Sequence, residues 1–413
     1  MPGFITVHSS IDTKTGDYIR IFKLNSDLRD SLPEFESLEV ILINFQTIFK
    51  IKKILAQSPI LKKRFFVPFI LPFGRFKVVN KVNHLVAGFI LKIIVFFIKP
   101  VFIVGEMHGS WDFIGDLKFK GLKVIDLHGA APEEALYSNL MNDFLFNDKL
   151  EKSIYSKVDI LLCQSGRMAS HLAEKYGKRD HVFIYKCGVD ITRFYFNEEV
   201  RKNVRTELSI ASEDIVLVYS GGFHKWQMIE ETLRCYSFLK KKSKLQLRFL
   251  LLTNESSNLV RSTLEQFGLV SDDVIVKNCK HEEVSKYLNA ADLGFLIRED
   301  TIMNQVAFPT KMGEYLACGL PLITTEVSRY WDISKTYEDK VKCAFSLDIN
   351  LSEDSMERLG RYIGDVYQGN EDYRVACSNL AKDILSREVD KLEVRNKVIP
   401  LLKNLYLLKV KEL

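Results

Sequence analysis

Short apolar runs alternate with longer amphipathic stretches along most of this chain. Phe4-Ile5-Thr6-Val7, Val40-Ile41-Leu42-Ile43 and residues 101–104, 122–127, 160–163 and 181–185 read as strands. Helices are expected to end near Lys99-Pro100 and to cover residues 147–157 and 168–176, the last stopped by Gly177. After Phe194 the pattern repeats, with strand candidates at 215–219, 247–252, 274–277, 293–297 and 321–325 and a helix over 228–240. Ile215-Val216-Leu217-Val218-Tyr219 is apolar almost throughout, as a strand covered on both faces requires. Strands alternating with helices predict parallel sheets joined by crossover helices. At 413 residues the chain is about twice the usual domain size, so two domains are expected. A basic segment after Ser386 has helical periodicity.

Composition narrows the class. Seven cysteines, scattered and without a Cys-x-x-Cys, argue against a disulfide framework or a zinc site and for a reducing compartment. No cleavable signal sequence is read at the start, where Met1-Pro2-Gly3-Phe4-Ile5-Thr6-Val7 turns polar early. The net charge of +5 is unevenly spread. From Val40 to Gly105 there is no Asp or Glu, yet eleven Lys or Arg, so the remainder is net acidic. Phe65, Phe66, Phe69, Phe73 and Phe76 are interleaved with these cations, a composition suited to an anionic bilayer surface. The contact is expected to concentrate in residues 49–81. Lys92 and Lys99-Pro100 interrupt the apolar run from Leu85 before it reaches a spanning length, and residues 85–98 also suit a core helix. Charge alone permits nucleic-acid binding, but no reading motif accompanies it.

The run Phe308-Pro309-Thr310-Lys311-Met312-Gly313-Glu314-Tyr315-Leu316-Ala317-Cys318-Gly319 is the richest in candidate chemistry. Pro309 suits the first position of a helix that Gly319 ends. The amides around Thr310, Lys311 and Met312 are then unpaired donors that suit phosphate, and Glu314, one turn further in, suits ribose hydroxyls. The same pattern also fits a helix that merely packs Tyr315 and Leu316 into a core. Ligands collect beyond the carboxyl ends of strands in open parallel sheets. Glu106 with His108, His128 with Gly129, Gly221-Gly222 with Lys225, Arg298 and Glu314 all fall at or past such ends.

The run from Phe308 resembles the nucleotide-sugar motif of family 4 retaining glycosyltransferases, in particular a bacterial surface-polysaccharide subgroup with Pro-Thr-Lys…Glu-Tyr-Leu-Ala…Gly-Leu-Pro. His128-Gly129, Cys187-Gly188-Val189-Asp190 with Phe194, Gly221-Gly222 with Lys225, and Ala291-Asp292 follow the family's order, so the resemblance covers residues 100–330. It implies an α/β GT-B fold: two doubly wound, Rossmann-like parallel-sheet domains facing a cleft. Residues 1–193 would bind the acceptor, 194–387 the nucleotide sugar, and 388–413 would form a helix crossing back to the first domain.

The activity implied is transfer of a sugar, with retention, from a nucleotide-diphosphate sugar to a lipid-linked oligosaccharide of a surface polysaccharide (O-antigen or capsule). The enzyme would work at the cytoplasmic face of the plasma membrane without metal or cofactor, and its partners would be donor, acceptor and an anionic membrane surface, with no nucleic acid. Catalytic roles fall to His128, Lys225 and Glu314. Donor binding falls to Gly221, Gly222, Lys225, Arg298, Pro309, Thr310, Lys311 and Glu314, and acceptor binding to Glu106, His108 and Glu133. Two departures stand out. Trp226-Gln227 replaces the usual Lys-Gly, and Val306 stands where the family has its first glutamate, with Glu299, Asp300 and Asn304 as neighbouring substitutes. The alternatives are an epimerase or phosphorylase of the same fold, or an inactive GT-B binding subunit.

Overall fold

The apolar runs form two all-parallel sheets in a computed structural model that describes residues 3–9, 16–43, 64–68, 77–270, 273–330 and 343–411. The chain divides into two compact units, Met1–Cys187 with Asp390–Leu413, and Gly188–Val389.

In the first unit the strands are β1 (Gly3–His8), β2 (Glu36–Ile43), β3 (Arg64–Pro68), β4 (Phe102–Glu106), β5 (Leu122–Leu127), β6 (Ile160–Cys163) and β7 (Val182–Ile184). Their order is β3-β2-β1-β4-β5-β6-β7. The chain winds outward from β1 and then returns to lay β4 on β1's other side. That reversal is a topological switch point, where a crevice opens beyond the carboxyl ends. Val7 pairs with Gly105, so His8 and Glu106 end neighbouring strands there. The C-terminal residues are helical at Arg387–Glu393 and Ile399–Lys411, with a widened turn at Val394–Val398 between them. Val394, Val398 and Leu402 join Phe4, Phe102 and Val124 in the core of this unit.

In the second unit β8 (Ile215–Ser220), β9 (Leu247–Leu252), β10 (Val274–Lys277), β11 (Leu293–Leu296), β12 (Leu322–Thr325) and β13 (Ala344–Leu347) are ordered β10-β9-β8-β11-β12-β13. Ile215, Leu217 and Tyr219 of β8 enter one core, and Val216 and Val218 enter the other. Burial on both faces explains why β8 reads as a continuous apolar run. The switch point lies between β8 and β11. Asp292 clamps the start of that junction, accepting from the Val216 N–H at 2.8 Å and pairing with Arg201 at 2.7 Å and Arg374 at 3.0 Å.

Several expectations change. The helix expected over 147–157 begins earlier, at Met141. Strands β3 and β13 and the helix Met107–Ile114 were not foreseen. Pro309 is not the first helical residue: its ψ of 116° keeps it extended, and the helix Thr310–Ala317 starts after it. Of the basic aromatic stretch at 49–81, the structure describes only β3 and the first turns of the helix Lys77–Ile98; the rest lies outside the described residues.

Candidate functional site

In the second unit, β8 ends in Ser220 and the chain turns at Gly221-Gly222. Gly221 has φ +150°, and a Cβ there would collide with the Lys311 ammonium, so the turn needs glycine twice over. The Lys311 Nζ donates to Gln227 Oε1 and lies 5.1 Å from the centre of the Tyr219 ring. Tyr219 donates its hydroxyl to the Gly222 carbonyl at 2.6 Å. Arg298 follows β11 with its guanidinium buried, donating to the Ile297 carbonyl at 2.8 Å and the Gln227 carbonyl at 3.4 Å. Burial, with Arg298 adding to it and Glu314 opposing, pushes the Lys311 amine down to about 7. Burial likewise lowers Arg298.

The helix Thr310–Ala317 is fixed at both ends. The Tyr315 hydroxyl accepts from the Ser220 N–H at 2.8 Å, which ties the helix to the end of β8. At the other end, Gly319 adopts φ +75° while its N–H reaches the Leu316 carbonyl and the Leu320 N–H reaches the Tyr315 carbonyl, both at 2.9 Å. At the start of the helix, the Met312 N–H is spent on the Pro309 carbonyl at 3.0 Å. The expectation that the Met312 amide is unpaired is therefore corrected, leaving the Thr310 and Lys311 amides at the helix mouth. Glu314 is half-buried one turn further in, and Thr310 is exposed.

Lys225 lies on an exposed turn, Lys225–Gln227, where His224 stacks on Trp226 with ring centres 4.5 Å apart. Val306 is fully buried. Among its substitutes, Asn304 donates to the Glu299 carbonyl at 3.0 Å, while Asp300 is engaged by Gln305 at 2.8 Å and Arg329 at 3.1 Å. Glu299 is half-buried in the same loop.

The first unit gathers a different set. At the ends of β4 and β5, His128 Nε2 lies 3.0 Å from Glu106 Oε2 and 3.2 Å from Asp126 Oδ2. With both carboxylates on Nε2, that nitrogen carries the hydrogen. Arg20 grips Asp126 with two bonds of 2.7 and 2.6 Å. Burial would raise Asp126, but Arg20 and His128 outweigh it and hold the acid at about 2. Burial raises Glu106 despite His128, and its Oε1 is buried without a partner among the described residues.

His108 and Glu133 do not join this cluster. His108 meets Glu151 at 3.1 Å, and Lys175 links Glu151 at 2.8 Å with Glu133 at 3.1 Å. Glu133 also meets His171 at 3.0 Å. The two expected acceptor residues thus belong to a network binding four helices. Sequence reasoning missed Arg20 and Asp126. Asp126 gave one signal, a lone acid in the buried run of β5; Arg20, 106 positions away, gave none.

Residues 200–363 match the family model of glycosyl transferases group 1. That stretch, most of the second unit, is similar to the group 1 glycosyltransferases. No curated protein matches the chain. The sucrose-phosphate synthase of Thermosynechococcus elongatus superposes with a TM-score of 0.73 at 13% identity, over 98% of this chain and 100% of that one. The Anabaena protein HepE, in complex with UDP and glucose, gives 0.69 at 11% identity, over 97% and 100%. WaaG, a glycosyltransferase involved in lipopolysaccharide biosynthesis, gives 0.67 at 13% identity, over 94% and 98%. The chain therefore has the GT-B fold, and the family that residues 200–363 match uses nucleotide-sugar donors without a metal ion.

Glu106, Asp126 and His128 hold potential ligand atoms within 4.8 Å of one another. The bidentate Arg20 already supplies the positive charge of this enzyme's cluster, so its chemistry suits proton sharing better than a cation.

Proposed function

We propose that this enzyme transfers a sugar, with retention, from a nucleotide-diphosphate sugar to a lipid-linked oligosaccharide in the synthesis of a bacterial surface polysaccharide of the O-antigen or capsule kind. It would work at the inner face of the plasma membrane. One observation carries the donor half of this reading. Arg298 and Lys311 are cations turned toward the Gly221 turn, and neither has a carboxylate hydrogen-bond partner among the described residues. A cation withdrawn from water without a bonded acid favours an anion.

The pyrophosphate of the donor answers that demand, with its oxygens on Arg298, Lys311 and the first amides of the helix Thr310–Ala317. Gly222 lets the backbone approach, and Lys225 adds a cation from the exposed turn. Glu314 takes the ribose hydroxyls, and Glu299 takes the sugar contact that Val306 cannot make. Charge developing on the leaving phosphate is stabilised by these fixed groups, and a phosphate oxygen accepts the acceptor's proton, so no protein nucleophile is needed. In the first unit, His128, oriented through Nε2 by Glu106 and Asp126, meets a sugar hydroxyl. His108 and Glu133 hold the helices that shape the acceptor side. That one fold neighbour binds UDP-glucose and another serves lipopolysaccharide synthesis supports the reading.

Transfer and donor-binding assays test it. Glu314→Ala weakens donor binding and Lys225→Ala slows transfer; wild-type turnover by both variants contradicts the assignment. The buried Val306 favours a second reading, an inactive binding subunit, which donor hydrolysis by the purified protein would exclude.

A further inference from the structure

From Val82 to Ile98 the helix Lys77–Ile98 is apolar on two opposite faces, and among the described residues only one is covered. Ala87, Leu91, Ile94 and Val95 are buried, while Leu85, Phe89, Ile93, Phe96 and Phe97 are exposed, Phe96 to 70% and Phe97 to 75%. Positions 85, 89, 93 and 96 follow one stripe of an α-helix. A helix at a water-facing surface carries charge on that stripe, and contiguous apolar surface marks a docking site.

The covered side of the helix packs on its neighbours. His84 stacks on Phe113 at 4.7 Å, and Trp111 donates to Ser153 at 3.1 Å, so the helix Met107–Ile114 touches both Lys77–Ile98 and Met141–Lys157. The start of the latter exposes Met141, Leu145 and Phe146. Lys92 and Lys99 are exposed beside the stripe, within the acid-free stretch that holds eleven cations.

We propose that the Leu85–Phe97 face of this helix lies in the plane of an anionic lipid bilayer, with its phenylalanines among the acyl chains and its lysines at the phosphate level. The inference rests on the membrane part of the function proposed above. Charge decides the occupant. A second copy would bring the same cations together, whereas an anionic bilayer neutralises them. No described helix is long and apolar enough to cross a membrane, and the buried half of this one is held by the protein, which leaves the in-plane arrangement.

The test uses the full-length protein with phosphatidylglycerol–phosphatidylcholine vesicles at low salt, with nucleotide-diphosphate binding as a check on folding. The triple variant Phe89→Ser/Phe96→Ser/Phe97→Ser should lose about tenfold or more of the vesicle affinity and keep its nucleotide binding. The native cysteines are all buried, so a fluorophore on Phe97→Cys reports this face alone and should shift to the blue on anionic vesicles. If the wild type binds vesicles and the triple variant binds equally well, this helix is not the docking element, though the membrane reading stands. Failure of the wild type to bind overturns both. A wild-type dimer made monomeric by the triple variant, with vesicle binding unchanged, assigns the face to a second copy and overturns the proposal.

Discussion

The ammonium of Lys311 rests against Gly221, in the space that a β-carbon at that turn would fill. Strand end and helix mouth are thereby locked together around a cation. Gly221→Ala must either expel Lys311 or move the turn, and its φ of +150° adds backbone strain of about 1–3 kcal/mol. The expected result is a loss of about tenfold or more in affinity for a nucleoside diphosphate, measured by titration calorimetry. The fold is retained, because the turn is only half-buried.

Lys311 makes donor binding depend on pH. Its folded value of about 7 lies below the ordinary lysine value, so the empty site loses the ammonium as pH rises through 7. The charged groups facing it are Arg298 and Glu314, beside the neutral Tyr219 ring, with Glu255 and Lys225 on the loops around the glycine turn. A diphosphate selects the protonated form, so binding takes up a proton above pH 7. Affinity should fall about fivefold between pH 7 and 8. Lys311→Arg, charged throughout, should flatten the profile. A wild-type profile as flat as that of the variant would contradict this.

The cations should rank by burial. Arg298→Met or Lys311→Met removes a desolvated charge from the leaving phosphate and should cost about a hundredfold in kcat/KM. Lys225→Ala, on an exposed turn, should cost less, on the order of tenfold, since water screens its charge. Steady-state kinetics with a saturating acceptor measures both.

Arg20 and Asp126 make a stability prediction in the first unit. Arg20→Met leaves the buried Asp126 without its partner and should destabilise that unit by about 3–5 kcal/mol. Adding Asp126→Leu should recover part of the loss, because no charge is then left buried. Urea unfolding of the three proteins provides the comparison. The acid limb follows as well. Asp126 is depressed to about 2, so its contribution is fully present above the ordinary carboxylate range and disappears as pH falls through 2. Without Arg20 the loss should begin at higher pH.

Much of the fold was legible because strands in doubly covered parallel sheets must be apolar on both sides. β5, β6, β9 and β10 have the bounds that the sequence pattern predicts. β3 and β13 escaped for a common reason. Both are edge strands, and Arg64-Phe65-Phe66-Val67-Pro68, bounded by a cation and a proline, is the kind of sequence that edges tolerate. At the candidate site, Gly221, Arg298 and Glu314 were readable as strand-end or helix-start positions. The seating of Lys311 depends on three segments meeting and leaves no local trace. Arg20 and Asp126 were hidden because a buried ion pair is visible only when both partners are placed. His108 and Glu133 were visible as residue types, but their partners come from other helices.

The central claim is that the donor's pyrophosphate lies on Arg298 and Lys311 while its ribose lies on Glu314. A crystal structure of the full-length enzyme with its nucleotide diphosphate tests this most directly. The account predicts phosphate oxygens within hydrogen-bond distance of both cations and ribose hydroxyls on the Glu314 carboxylate. A nucleotide bound with its phosphates away from Arg298 and Lys311, or with its ribose clear of Glu314, would contradict it.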